Sequence, residues 1–417
     1  METNVVLVKL WGMSVGYLSW DKKLDHAVFE YDSDFLTKGL DIAPLTMSIL
    51  SPRSKNRIPW IGDKDKLYMG LPPMIADSLP DKWGNSLFYA WLRDNHIPTK
   101  KVSPVDHLSF IGSRAMGALE YEPAQKLGDD SVFSVDIEHL YAFAKQVLNQ
   151  RESTVLNAEN SILWQDLIKI SSSPGGKRPK AIVAVNTSTS EVISGQGNIP
   201  EGFEHFILKY DDQSSYPLAK LEYVYYQMAL AAGINMMPSE LRSYGSVTHF
   251  LTRRFDRIHN QRIHTQTYAA MSPSGSSYED LFAVIRRLHL PYEDCRQQYI
   301  RMVFNVLARN VDDHSKNFSF CMTPDGIWRL SPAYDLTYSV DLLAPAYMNR
   351  HSMSILGKNE AITREDLDVV AQLNDIQDPK SLIELVSRAV ARFREFALEL
   401  KIDEQLIDRI ESDFVYF

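Results

Sequence analysis

The order in which apolar periodicity changes along this chain constrains its fold more than any other feature. Through the first ~125 residues the apolar runs are short or alternating, as in Val5 to Trp11 and Ala27 to Tyr31, and polar or Pro-containing turns cut them. A polar stretch, Pro123 to Val132, is the linker candidate, and Ile137 to Val147 then reads as helix. From about Leu163 to Tyr338 the order becomes strand, Gly-rich turn, strand, helix, strand. Ala181 to Val185 and Phe206 to Leu208 are strand-length runs. Pro217 opens a helix in which Leu218, Leu221, Tyr225, Met228 and Ala232 recur at spacings of three and four until Gly233. Ser246 to Phe255 reads as strand, and Tyr278 to Leu288 and Tyr292 to Asn310 as helices. The last ~60 residues are helical, with Leu382, Val386, Ala389, Phe393 and Leu400 on one apolar face, and no sustained heptad marks a coiled coil. The pattern predicts a mixed, strand-rich N-terminal domain over the first ~125 residues, then a strand-and-helix stretch to about Tyr338 and a helical end.

Length and composition narrow the function classes. At roughly 150 residues per domain, 417 residues suit two to three units, and 45% apolar residues exclude a disordered chain. The 44 basic and 53 acidic residues leave a net charge of −9, which argues against binding driven by whole-surface attraction to nucleic acid or anionic lipid. Two cysteines, Cys295 and Cys321, make neither a disulfide framework nor a zinc site. No basic segment precedes the apolar run that Lys9 ends, and Tyr223 to Ile234 is about half of the ~20 residues a membrane span needs. The expectation is a soluble, cytoplasmic protein.

Chemistry concentrates in Asn310-Val311-Asp312-Asp313-His314-Ser315-Lys316-Asn317, with Asp335 following 18 positions after Asn317. Phosphoryl transfer from ATP needs a carboxylate that takes the acceptor's proton and oxygen ligands that hold magnesium against the phosphates. Asp312 and Asn317 have the D-x-x-x-x-N spacing of kinase catalytic loops, and Asp335 falls where a second metal ligand is required. Taken alone, these residues read equally well as a polar turn. Upstream, Phe206-Ile207-Leu208-Lys209 sets a lysine at the end of a strand, and Glu222 in the next helix is its candidate ion-pair partner. The loop Ser171-Ser172-Ser173-Pro174-Gly175-Gly176-Lys177-Arg178-Pro179-Lys180 has glycines that admit phosphate near the backbone and lysines that add charge, but it matches neither the Walker nor the protein-kinase glycine spacing. His314 reads as a structural hydrogen-bonding residue of its loop. A metal hydrolase lacks a second ligand cluster, and no G-x-S-x-G or H-E-x-x-H occurs.

In this order, the motifs resemble the HipA family of bacterial toxin kinases, whose fold is related to that of phosphatidylinositol-3/4-kinases. Gly16-Tyr17-Leu18, Leu45 to Ser48 and Asp77-Ser78-Leu79-Pro80-Asp81-Lys82-Trp83-Gly84 resemble that family's small N-terminal domain. The loop ending at Lys180, His205 to Lys209, Arg254-Phe255-Asp256-Arg257, Asp312 to Asn317 and Pro332 to Asp335 resemble its kinase core. The resemblance implies an α+β fold with a two-lobed kinase-like core: a small strand-rich N-terminal domain at 1–125, a kinase N-lobe with the ATP-binding loop at 126–255, and a helical C-lobe with the catalytic and metal-binding loops at 256–417. By it, Asp312 is catalytic; Lys209, Gly175, Gly176, Lys180, His314 and Lys316 bind ATP; Arg253 and Phe255 lie at the adenine hinge; and Asn317 and Asp335 hold magnesium. Aligning Gly176 and Lys180 with the family's Gly-x-x-x-Lys puts Ser173 at the autophosphorylated serine, with Ser171 and Ser172 as other registers.

The resemblance also implies partners. A small helix-turn-helix antitoxin of the HipB type would bridge the chain to operator DNA, and the substrate would be a translation protein such as an aminoacyl-tRNA synthetase. The leading expectation is a Mg-ATP-dependent serine/threonine kinase toxin. The alternatives are a catalytically weak corepressor in an antitoxin–DNA complex and a small-molecule phosphotransferase.

Overall fold

The computed structural model describes residues 5–125, 132–149, 158–171, 178–211, 216–341, 345 and 349–417. In the first antiparallel sheet, β1 (Val5–Leu10) pairs with β2 (Met13–Asp21) and β5 (Leu119–Glu122), while β3 (His26–Tyr31) joins β2 to the short β4 (Trp60–Ile61). Along β1, Val6, Val8 and Leu10 are buried while Val5 is exposed, the alternation expected of a sheet with one face on the core. Gly16 explains why its motif carries a glycine: a Cβ there would lie 2.3 Å from the Glu30 carbonyl oxygen. Helices Lys82–Asp94 and Pro104–Ile111 belong to the same unit. The second opens with a reciprocal Ser103/Asp106 capping box and a proline in its first turn.

The second sheet contains β6 (Lys180–Asn186), β7 (Val192–Ser194), β8 (Phe203–Lys209), β9 (Ser239–Tyr244) and β10 (Val247–Arg253), ordered β7-β6-β8-β10-β9 and antiparallel throughout. Six of the seven residues of β6 are buried, as suits a central strand covered on both faces. In the β6–β8 register Lys180 stands opposite Lys209. Beyond β10 come a two-residue ribbon, β11 (Arg257–Ile258) with β12 (Gln261–Arg262), and a third sheet of β13 (His264–Thr267), β14 (Ser319–Met322) and β15 (Trp328–Leu330).

Among the described residues two large hydrophobic cores, beside a small cluster at Ala184, Ile193 and Ile199, organise these elements. Val6, Phe29 and Tyr121 of the first sheet share one core with Val183, Phe206 and Leu208 of the second. The other fills the helical lobe built from Tyr278–Arg287, Tyr292–Leu307, Arg364–Leu373, Pro379–Val390, Phe393–Glu399 and Glu404–Glu411. Helix Leu218–Ala231 joins the two. It packs on β9 and β10, yet Leu221, Val224, Tyr225 and Met228 belong to the helical core, against Pro379–Val390 and Phe393–Glu399.

Three expectations change at their edges. The helix expected to reach Asn310 stops at Leu307, because Arg309 takes a left-handed φ of +55° and turns Asn310 to Asp312 out into a loop. The strand expected to reach Phe255 ends at Arg253, where Arg254 and Asp256 enter a buried ion-pair node. The C-terminal apolar face is divided between two helices, with Ala391 and Arg392 outside both. Among the described residues, no helix is long and apolar enough to cross a membrane.

Candidate active site

Two lysines on neighbouring strands are the electrostatic centre of the site. Directly opposed like charges destabilise a sheet, and here carboxylates from two other elements offset them. Lys209 Nζ donates to Glu222 Oε1, from helix Leu218–Ala231, and to Asp335 Oδ1, in the loop after β15. Burial disfavours the Lys209 ammonium, but Asp335 and Glu222 outweigh it and raise its pKa above the ordinary lysine value. Burial likewise opposes ionisation of Asp335, but Lys209 and Lys180 outweigh it and hold its carboxyl well below the usual range. Lys180 is 6% exposed, and burial lowers its ammonium's pKa, with Asp335 acting in the opposite direction. Asp335 adopts a left-handed φ of +53°, a conformation that costs energy in a non-glycine residue. Its neighbours fix it there: the Ala333 amide donates to the Asn235 carbonyl at 2.8 Å, and Tyr334 OH donates to the Lys316 carbonyl at 2.7 Å.

The adjacent Asp312 and Asp313 have opposite environments. Asp313 is 1% exposed and accepts hydrogen bonds from Tyr278 OH at 2.7 Å and the Ser352 amide at 2.7 Å, with His351 Nδ1 at 3.0 Å. It anchors the loop. Asp312 is exposed, and its carboxylate accepts no hydrogen bond among the described residues. Its backbone is nevertheless fixed, because Ser339 Oγ accepts from the Val311 and Asp312 amides at 2.8 and 2.9 Å. Asn317 Nδ2 donates to the Asp312 carbonyl at 2.8 Å, which closes the loop on itself, and among the described residues the Asn317 amide oxygen accepts no hydrogen bond. An exposed carboxylate on a rigid backbone can accept a proton from an incoming hydroxyl. The His314 carbonyl accepts from the Asn317 amide at 2.8 Å, and a second histidine, His351, is brought in from 37 residues downstream to hold Asp313. The His314 ring lies close enough to Asp335 to favour that carboxylate's charge.

The N-terminal unit reaches this site. Lys316 Nζ donates to Asp81 Oδ1 at 2.7 Å, and the buried Trp83 donates from Nε1 to the Lys180 carbonyl at 3.1 Å. The sequence motif from Asp77 to Gly84 carried no sign of these contacts, since 235 positions separate Asp81 from Lys316. Arg253 pairs with Glu204 at 2.8 Å, and the Phe255 ring lies 5.6 Å from that of Tyr334, beside Asp335. Gly175, Gly176, Ser172 and Ser173 lie outside the described residues. Ser171 ends helix Ala158–Ser171 and is fully buried, which leaves it no access as an acceptor in this conformation.

The residues fit a hard divalent cation in part. Asp335 and Asn317 offer oxygen donors only, and magnesium commonly takes one or two protein carboxylates together with substrate phosphates. No group of three or more His, Cys, Asp or Glu side chains able to hold a metal occurs among the described residues, so phosphate oxygens would complete such a shell.

Comparison with known proteins gives a consistent picture. Residues 172–410 match the family described as the HipA-like C-terminal domain, and residues 6–122 match the HipA N-terminal domain. The "Putative kinase Y4mE" of Sinorhizobium fredii is 27% identical over 44% of this chain and 48% of its own length. The "Serine/threonine-protein kinase toxin HipA" of Shewanella oneidensis is 28% identical over 34% of this chain and 32% of its own length. The chain thus aligns with half or less of each of these curated relatives. A solved structure of the Shewanella oneidensis HipA, HipB and operator DNA complex contains a chain that superposes with a TM-score of 0.67, at 18% identity, covering 97% of this chain and 94% of that one. That likeness establishes a shared fold.

Proposed function

Since the chain belongs to the HipA family, we propose that it is a Mg-ATP-dependent serine/threonine protein kinase acting as the toxin of a HipBA-type toxin–antitoxin pair. The observation that carries this reading is the joint hold of Glu222 and Asp335 on Lys209, beside a loop that exposes Asp312 and buries Asp313. A kinase site needs a cation beneath the phosphates, tied to a helix carboxylate, and a carboxylate facing the acceptor.

In this reading Lys209 and Lys180 receive the phosphate oxygens from the strand side, with Gly175 and Gly176 supplying loop amides and Lys316 and His314 adding charge from the catalytic loop. Arg253 and Phe255 flank the adenine. Asp335 and Asn317 hold magnesium, which supplies positive charge to the phosphate oxygens when bound. As the acceptor hydroxyl attacks the γ-phosphorus, its proton passes to an Asp312 oxygen. The new oxygen–phosphorus bond forms, and the bond to the β–γ bridging oxygen breaks with its electron pair leaving on ADP. The preorganised backbone of Asp312 supports this role, because a fixed carboxylate need not reorganise during transfer.

Ser173 is the autophosphorylation site in this reading. A phosphate there would bring about −1.5 to −2 charges beside a site that receives a polyanion, and would displace the loop. The cytoplasm is the working compartment, a small HipB-type antitoxin is the partner that links the chain to operator DNA, and a translation protein such as an aminoacyl-tRNA synthetase is the target. The test is incubation of phosphatase-treated protein with magnesium and γ-labelled ATP, followed by peptide mapping. Label on Ser173 is expected. Bound ATP with no label on any peptide or added protein would favour the corepressor, and labelled metabolites alone would favour the small-molecule phosphotransferase.

A further inference from the structure

The segment from Asp77 to Trp83 touches three parts of the catalytic core at once. Asp77 accepts from the Thr267 amide at 2.7 Å and from Thr267 Oγ1 at 2.8 Å, at the end of the third sheet's β13. Asp81 reaches Lys316, the residue immediately before Asn317. Trp83 reaches the Lys180 carbonyl, at the start of β6. One short stretch of the N-terminal unit therefore links the phosphate-side strand to the loop that carries Asp312 and Asn317.

Asp81 is placed unusually for its residue type. It occupies the N-cap position of helix Lys82–Asp94, where an aspartate ordinarily accepts a hydrogen bond from the helix's first amides, yet its side chain makes no capping bond. The carboxylate turns to Lys316 instead, so the helix start is left without a stabilising cap in favour of a contact between domains. Asp81 also lies near enough to Lys180 to favour that lysine's charge. The position thus faces cations from both sides of the cleft.

We propose that Asp81 is a positioning residue for phosphoryl transfer: through Lys316 it sets the catalytic loop against the Lys180 strand, making the N-terminal domain an integral part of the kinase site. The proposal rests on the kinase reading for its consequence, but the restraint itself is a property of the fold. Losing the restraint frees the loop segment that carries Lys316 and, next to it, Asn317. The cost falls on turnover and on the metal concentration required.

Two readouts separate the restraint from the activity. Hydrogen–deuterium exchange on Asp81→Asn, Asp81→Glu and the parent follows peptides covering residues 310–318, with the Pro104–Ile111 helix as internal reference. Faster exchange at 310–318 in Asp81→Asn, near-parent exchange in Asp81→Glu and no change in the reference helix is the expected result, whether or not the protein transfers phosphate. Unchanged exchange at 310–318 in Asp81→Asn overturns the proposal. If the parent is active, Asp81→Asn should also lower kcat roughly tenfold, short of the hundredfold that a misplacement of about 1 Å can cost, and should require more magnesium for half-maximal rate. A parent-like kcat and magnesium requirement in Asp81→Asn would overturn it as well, while an inactive parent would count against the kinase reading alone.

Discussion

Among the described residues the N-terminal domain meets the rest of the chain through several charged contacts, two of which contrast in character. At one, Asp256 is 2% exposed between Arg254 and Arg257; it accepts from the Gly117 amide at 2.7 Å, while Arg257 donates to the Gly117 carbonyl at 2.8 Å. At the other, Asp81 pairs with Lys316 through side chains that are 31% and 24% exposed. The first joint is satisfied on every side and lies far from solvent, where removing one partner is costly. The second is partly screened by water, where an ion pair contributes little to stability. The buried joint holds the domain in place, and the exposed one has room to serve the site.

The largest effect should come from breaking the buried joint. Asp256→Asn leaves the buried Arg254 and Arg257 guanidiniums without the carboxylate they share and should cost roughly 3 to 5 kcal/mol in urea unfolding. The same variant tests the acid limb of stability. Burial opposes ionisation of Asp256, but Arg254 and Arg257 outweigh it and hold the carboxyl well below the usual range. A depressed folded-state pKa stabilises fully above the unfolded value of about 3.9, and that contribution is lost as pH falls toward the folded value. Parent stability should therefore decline as pH drops below about 4, and the decline should be shallower in Asp256→Asn. A steeper decline in the variant would break the assignment. At the exposed joint, Lys316→Met should change unfolding stability by no more than about 1 kcal/mol. A loss as large as that of Asp256→Asn would erase the distinction between the two joints.

How much of this was legible in the sequence depends on the distance over which each signal acts. Lys209, Glu222, Asp312, Asn317 and Asp335 stand out because strand, helix and loop patterns place residue types that a phosphoryl-transfer site uses in a recognisable order. The packing around them is another matter. The spacing to Asn317 singles out Asp312, but nothing local marks Asp313 as the buried anchor, a role set by Tyr278 and His351, 35 and 38 positions away. The helix end at Leu307 was hidden because Arg309, a non-glycine residue, adopts the left-handed turn that glycine usually signals. The buried Arg254–Asp256–Arg257 node was noticed as a motif, but its work of holding Gly117 lies in tertiary contact alone.

The most direct test of the kinase reading compares phosphatase-treated parent and Asp312→Ala for transfer from γ-labelled ATP, with urea unfolding measured on both. Transfer should fall by about 10²- to 10⁴-fold, since a positioned proton acceptor is lost, while an exposed and unpartnered carboxylate leaves the unfolding transition within about 0.5 kcal/mol of the parent. Parent-level transfer by Asp312→Ala, with the protein still folded, would contradict the reading.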